Sequence, residues 1–254
     1  MRTLVVIPAR LGATRLPQKP LRLLGGQPLI IRVWQKISKM NLGERCVVAT
    51  DDEKVASIVR EAGGDCVMTS SSHSTGTERV AEVAAKPEFR AFDAIVNVQG
   101  DEPYIGEESV RGAARMVTSG AFPLGTSAAR ADANIFESPA IVKVVTDNAG
   151  RALYFSRGPI PFLRDEADSP KRIPLTLQHI GVYSYRRDAL AQWAALPVNP
   201  LEEVERLEQL RPLAAGIPIG VAITNEPAAT GIDTEEDLTR ANELWQTQFA
   251  GVSA

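Results

Sequence analysis

Short unbroken apolar runs alternate with longer segments of helical period through the first hundred residues. Leu4 to Ile7 is the first run, the pattern of a strand buried on both faces of a parallel sheet. Within Pro28 to Met40, Leu29, Ile30, Val33, Trp34 and Ile37 recur at helical spacing, which predicts a helix packed on that sheet. Arg45 to Thr50 reads as a second strand. Asp51 or Asp52 is placed to cap a helix running to about Ala62, where Gly63-Gly64 stops it. A short strand at Asp65 to Met68, a helix carrying Val80, Val83 and Ala84, and a buried strand from Asp93 to Val98 continue the pattern. Strands and helices in alternation predict an α/β fold with a mostly parallel sheet and helices on both faces.

From about Pro123 the pattern changes. Leu124 to Arg130, Ile141 to Thr146 and Ala152 to Ser156 are strand-like without long helices between them, and Asp147-Asn148-Ala149-Gly150 predicts a hairpin joining the last two. Residues 124–186 are therefore expected to add an antiparallel annex. Ile160 to Pro174, rich in proline and mixed charge, reads as a long exposed loop of the kind used as a lid or interface arm. In the strand Gln178 to Tyr185, the residues His179, Gly181, Tyr183 and Tyr185 share one face, opposite Ile180 and Val182. That face suits a small oxygenated ligand or cross-strand aromatic packing. A helix is expected over Pro200 to Leu213, with Glu208 inside its apolar stripe and needing a partner: Arg211, Arg206 or a ligand hydroxyl. Pro218 to Thr224 predicts the last strand. Asp233 and Glu236 then fit a capping box for a terminal helix reaching about Phe249.

Composition adds bounds. The 254 residues, 44% of them hydrophobic, suffice for a single large domain spanning 1–254. A net charge of −3 without Lys/Arg blocks gives no support to a nucleic-acid or membrane partner. No apolar run approaches the roughly 18 residues of a membrane span, and no signal-peptide pattern opens the chain, so a cytoplasmic protein is expected. Cys46 and Cys66, each within an apolar run, read as buried reduced thiols.

The candidate chemistry lies where strands end. The first strand runs into a loop holding Arg10, Arg15 and Lys19, stiffened by Pro8, Pro17 and Pro20. It is either a solvated basic loop or an anion site in the crevice beyond the strand ends, where guanidinium forks and a lysine point charge suit polyphosphate. Neither G-x-x-x-x-G-K-[ST] nor G-x-G-x-x-G occurs, so a Walker-type or dinucleotide site is disfavoured. Gln99-Gly100-Asp101-Glu102-Pro103 ends another strand and suits a hard divalent cation shared with substrate phosphates, or simply a turn. Ser74-Thr75-Gly76-Thr77-Glu78-Arg79 is a helix cap, or a set of hydroxyls and N–H groups for a base or ribose.

Eight motifs in order then carry a resemblance. They are Ile-Pro-Ala-Arg with Thr-Arg-Leu-Pro-x-Lys-Pro-Leu, Val-Ala-Thr-Asp, Gly-Thr-Glu-Arg, Asn-Val-Gln-Gly-Asp-Glu-Pro, Tyr-Phe-Ser-Arg, His-Ile-Gly-Val-Tyr, Leu-Glu-Gln-Leu-Arg and Gly-Ile-Asp-Thr-x-Glu-Asp-Leu. From Val5 to about Asn242 the chain resembles the 3-deoxy-manno-octulosonate (Kdo) cytidylyltransferases, with Gln18 where that family carries glycine and Thr75 where serine is common. The resemblance implies a Rossmann-type, nucleotide-diphosphosugar transferase-like fold, a homodimer formed through the annex, and CMP transfer from CTP to Kdo for lipopolysaccharide synthesis. It implies that Arg10, Arg15 and Lys19 hold the triphosphate, with Ala9, Ala49, Asp51, Ser74, Gly76 and Thr77 near the nucleotide. Asp101 and Asp233 would hold Mg²⁺, while Gln99, Arg157, His179, Tyr183, Tyr185 and Glu208 would line the sugar site. Lys19, Arg10, Arg15 and Asp101 are the candidate catalytic residues. Another acid sugar as acceptor, or a catalytically silent nucleotide-binding protein, are the competing readings.

Overall fold

The computed structural model describes residues 1–12, 15–130, 135–229 and 231–249, the side chains of 248 and 249 excepted. The chain forms two compact units. One comprises 2–91, 97–105 and the segment from 229 onward. It is built on the parallel strands β1 (Thr3–Ala9), β4 (Arg45–Thr50) and β5 (Asp65–Met68), with the small antiparallel ribbon β2 (Leu23–Leu24) and β3 (Gln27–Pro28) set apart. Every residue of β1 is buried, as its unbroken apolar run requires. Helices α1 (Leu29–Lys39), α2 (Glu53–Glu61), α3 (Gly76–Ala85) and α9 (Glu235–Phe249) belong to this unit. Asp52 caps α2 by accepting from the Lys54 and Val55 N–H groups.

The other unit holds 92–96 and 106–228. Its strands run in the order β11 (Ile219–Thr224), β7 (Leu124–Arg130), β10 (Leu177–Arg186) and β6 (Ala94–Asn97). β11 pairs parallel with β7 and β7 antiparallel with β10, so these two annex strands are integral members of the unit's sheet. Only the predicted hairpin, β8 (Lys143–Thr146) with β9 (Ala152–Ser156), lies off that path, attached through β8 to β10.

Helix α4 (Glu107–Thr118) was not visible in the apolar pattern. Its buried positions include Gly112, Ala113 and Ala114, small residues that let the helix lie close to the sheet. A Cβ added at Gly112 would stand 2.8 Å from the Ala222 methyl on β11. Helix α6 (Arg187–Ala195) was likewise not anticipated. The 160–174 segment is exposed as expected but carries short helical turns, among them α5 (Ser169–Arg172).

The single helix expected over 200–213 is two: α7 (Pro200–Glu205) and α8 (Leu210–Ala214), separated at Arg206, whose φ of 54° is left-handed. Pro212 explains the break. In a continuous helix it would remove a bond and clash with the turn before it, a cost of about 3 kcal/mol or more. Starting α8 at Leu210 puts it in the first turn, where no N–H donor is needed.

Candidate active site

β1 delivers the basic loop to one end of its sheet, and every described lining residue of the pocket there belongs to the same unit. Four cations, Arg10, Arg15, Lys19 and Arg79, face two carboxylates, Asp101 and Asp233, so the described lining favours a polyanion. Gln18 leads into the short helical turn that begins at Lys19 with φ 55°. A side chain in this left-handed conformation costs about 1 kcal/mol or more, a physical reason for glycine to be preferred there.

Lys19 joins three remote pieces of sequence. Its Nζ donates to Asp101 Oδ2 at 2.6 Å and to Asp233 Oδ1 at 2.8 Å, while Arg15 pairs with Asp233 Oδ2 at 3.0 Å. Burial opposes the ammonium charge, but the Asp101 and then Asp233 carboxylates outweigh it and raise the Lys19 pKa. Burial likewise opposes the Asp233 charge, and Lys19 and Arg15 reverse this to hold Asp233 below its ordinary value. Beside them the Glu102 carboxyl is pushed up to about 8, by burial first and by Asp101 second.

Asp233 reaches this cluster because it is not the helix cap. The expected Asp233/Glu236 box is displaced by one residue. Thr234 Oγ1 accepts from the Asp237 N–H at 3.1 Å, and Asp237 Oδ2 accepts from the Thr234 N–H at 3.0 Å. Asp237 also takes the Asp233 N–H, at 3.2 Å, which fixes the Asp233 backbone and leaves its carboxylate to Lys19 and Arg15. On the facing segment, Val98 N–H donates to Val6 O at 3.1 Å. Gly100 is obligatory there, since a Cβ would stand 2.7 Å from the Pro8 carbonyl oxygen.

The remaining nucleotide candidates sit around the start of α3. Thr75 Oγ1 caps the helix by accepting from Glu78 N–H, and the Glu78 carboxylate accepts from Ser74 N–H, so capping accounts for both hydroxyl positions. Arg10 Nη1 donates to Ser74 O at 3.1 Å, tying the basic loop to this cap. Gly76 faces Gln99, whose amide donates to Asn97 at 3.4 Å. Ala9, Ala49 and Thr77 are buried. Sequence reasoning did not single out Arg79. It is buried, donates to Thr69 Oγ1 at 2.5 Å and lies 3.5 Å from Asp51 Oδ1. Its signal was an arginine next to Val80, in a helix that also buries Val83 and Ala84.

The other unit holds five of the six expected sugar-site residues. On β10, His179, Tyr183 and Tyr185 form one aromatic row, with ring centroids 5.5 and 6.3 Å apart. A bulge between Ile180 and Tyr183 adds two residues to β10, which preserves the parity of the face. Tyr185 is fully buried against Trp193 and backs Tyr183. Thr126 Oγ1 has one proton and lies 2.8 Å from Val182 O, so it donates there and accepts from His179 Nε2–H at 2.9 Å. That assignment leaves Nδ1 as the ring's acceptor. Burial drops the His179 pKa to about 3, so the imidazole is a neutral hydrogen-bonding wall at ordinary pH. Burial, with Tyr185 and Glu208 behind it, raises the Tyr183 phenol well above its usual value. Glu208 lies in the turn between α7 and α8, and the buried Arg211 pairs at 2.7 Å with Glu202. Arg157 lies at the end of β9, where its guanidinium meets the Glu205 and Pro139 carbonyls.

Among the described residues no group of three or more His, Cys, Asp or Glu side chains converges as a metal site, and no helix is long and apolar enough to cross a membrane. Cys46 and Cys66 are free thiols, each pushed up to about 11, by burial foremost.

A family model described as cytidylyltransferase matches residues 4–219. The 3-deoxy-manno-octulosonate cytidylyltransferase of Gemmatimonas aurantiaca is 53% identical, covering 100% of this chain and 98% of its own. That of Stenotrophomonas maltophilia strain K279a is 46% identical, covering 97% and 98%. A solved structure of CMP:2-keto-3-deoxy-manno-octonic acid synthetase complexed with CTP superposes with a TM-score of 0.89 at 37% identity, over 98% of this chain and 100% of that one. The chain belongs to the cytidylyltransferase family, in the branch of the 3-deoxy-manno-octulosonate cytidylyltransferases.

Proposed function

We propose that this protein transfers CMP from CTP to 3-deoxy-D-manno-octulosonate, giving CMP-Kdo and pyrophosphate. The observation that carries the reading is the meeting of Arg15, Lys19, Asp101 and Asp233 in one cation-rich pocket, in a chain 53% identical to a protein of that name. The sugar hydroxyl attacks the α-phosphorus in line, and the bond to the β-phosphate breaks as pyrophosphate leaves. Positioning and charge neutralisation supply the acceleration, as expected for phosphoryl and nucleotidyl transfer. Arg10, Arg15 and Lys19 bind the phosphate oxygens. Asp51 Oδ1, which Arg79 approaches at 3.5 Å without a closer hydrogen bond, offers an acceptor for the cytosine amino group. His179, Tyr183 and Glu208 hydrogen-bond the sugar hydroxyls, and Arg157 takes its carboxylate.

Asp101 and Asp233 fit Mg²⁺, because their oxygens already converge on one cation, Lys19 Nζ. Two carboxylates with substrate phosphates completing the shell is the usual donor set for that ion. Bound there, Mg²⁺ would supply Lewis-acid neutralisation of the phosphate charge. A homodimer belongs to the same proposal and rests on the family resemblance. A monomer by sedimentation at micromolar concentration would remove that part. The cytoplasmic setting and the link to lipopolysaccharide synthesis rest on the family resemblance. Pyrophosphate release from CTP and Mg²⁺, with Kdo, 8-amino-Kdo and sialic acid offered separately, tests the reading. Release with Kdo is expected, and release only with another acid sugar would change the substrate.

A further inference from the structure

In the second unit Arg157 is tied through both its backbone and its guanidinium, and its anchors are residues to which the proposed reaction assigns no role. Its backbone N–H donates to Glu205 Oε2 at 2.9 Å, and Ser156 Oγ donates to the other carboxylate oxygen at 2.6 Å. Its side chain returns to the same residue, Nε donating to Glu205 O at 2.9 Å, and Nη1 donates to Pro139 O at 2.9 Å. Its own carbonyl accepts from Lys143 Nζ at 2.6 Å. Lys143 is fully exposed to nothing: its side chain is buried at 0% relative area, and Nζ also donates to Ser138 O at 3.0 Å and Ile141 O at 2.8 Å. A lysine buried on three carbonyls, with no carboxylate in hydrogen-bond contact among the described residues, is costly unless its charge serves a purpose.

Two consequences follow. Every rotatable part of Arg157 up to Nη1 is fixed before any ligand arrives, and no described residue engages Nη2, so one polar edge of the guanidinium is presented ready-made. The second cation, Lys143, lies against the same peptide and adds positive potential without offering a contact of its own. We propose that Glu205 and Lys143 are positioning residues that preset the Nη2 edge of Arg157 for the carboxylate of the acid sugar, making charge on that group a condition of productive binding. A guanidinium held this way offers the N–H donors of Nη2 to a carboxylate oxygen in a charge-assisted hydrogen bond and loses little rotamer freedom on binding. The proposal rests on the sugar reading of the site given above.

The test is steady-state kinetics of wild type, Glu205→Gln and Lys143→Met with CTP, Mg²⁺ and either Kdo or its uncharged 1-amide. Glu205→Gln keeps the shape of the anchor and is expected to raise KM for Kdo about tenfold while KM for CTP stays within about twofold. The preference of wild type for Kdo over the amide is expected to shrink by the same factor. Lys143→Met is expected to act in the same direction; if it does not fold, Glu205→Gln decides alone. An unchanged KM for Kdo, a parallel rise in KM for CTP, or an unchanged acid-over-amide preference would overturn the proposal. Wild-type turnover of Kdo reports on the reaction itself, separately from these variant ratios.

Discussion

Asn at position 101 or 233 is expected to lower turnover by about 10²–10³-fold, because each change removes one of the two carboxylates proposed to hold the cation at the phosphates. The two losses should not add. Both oxygens converge on the same point, at 2.6 and 2.8 Å from Lys19 Nζ, so once either is gone the other cannot hold the ion in place. The double variant is therefore expected to be little worse than the single ones. Binding supplies an independent readout: calorimetric titration of CTP should show Mg²⁺-dependent affinity in the wild type and not in Asp101→Asn. Near-normal kcat in saturating Mg²⁺ would contradict the role given to these residues.

Lys19→Met is expected to lower kcat/KM for CTP by a similar factor, about 10²–10³-fold, and to change stability with a sign that depends on Mg²⁺. Without the ion, Lys19 is the cation that Asp101 and Asp233 share, Arg15 being a second partner of Asp233; removing it takes away that shared cation and costs about 1–2 kcal/mol after allowing for their partial exposure. With the ion, the same carboxylates gain a divalent partner and no longer have the lysine to displace. Added Mg²⁺ should then raise the melting temperature of Lys19→Met more than that of wild type. The pH dependence follows the same logic. The Asp233 pKa is lowered in the folded state, so its contribution is present above the unfolded carboxylate value of about 3.9 and is lost as pH falls through the folded one. An equal Mg²⁺ shift in the two proteins would show that lysine and metal do not share the carboxylates.

Much of this site is legible in the sequence. The apolar run of β1, the cations after it and the Gly-Asp pair after another strand each announced a strand end with charge, and Leu124 to Arg130, Arg45 to Thr50 and Asp65 to Met68 have the same bounds in the structure. The parity of His179, Tyr183 and Tyr185 also survived, because the bulge in β10 adds an even number of residues.

What escaped was what depends on partners. Asp233 and Thr234 are both good caps, and only the fold shows that Thr234 and Asp237 cap each other while Asp233 turns to Lys19. Helix α4 hid because close packing on the sheet selects Gly112 and alanines, which weaken the apolar signal. The assignment of Leu124 to Arg130 and Leu177 to Arg186 to the sheet proper depends on pairings more than 40 residues apart in sequence, as in Leu177 with Arg130. Pro212 was a local signal that the 200–213 helix must break, and a stricter reading of it would have freed Glu208 from the helix stripe.

The central claim is that CMP passes from CTP to Kdo. Phosphorus NMR of the wild-type protein with CTP, Mg²⁺ and Kdo tests it most directly. The account predicts that the three CTP resonances give way to one phosphodiester signal and one pyrophosphate signal of twice its area, because the two phosphorus atoms of pyrophosphate are equivalent, with no change when Kdo is left out. Appearance of CDP with inorganic phosphate, or CTP left intact in the presence of Kdo, would contradict it.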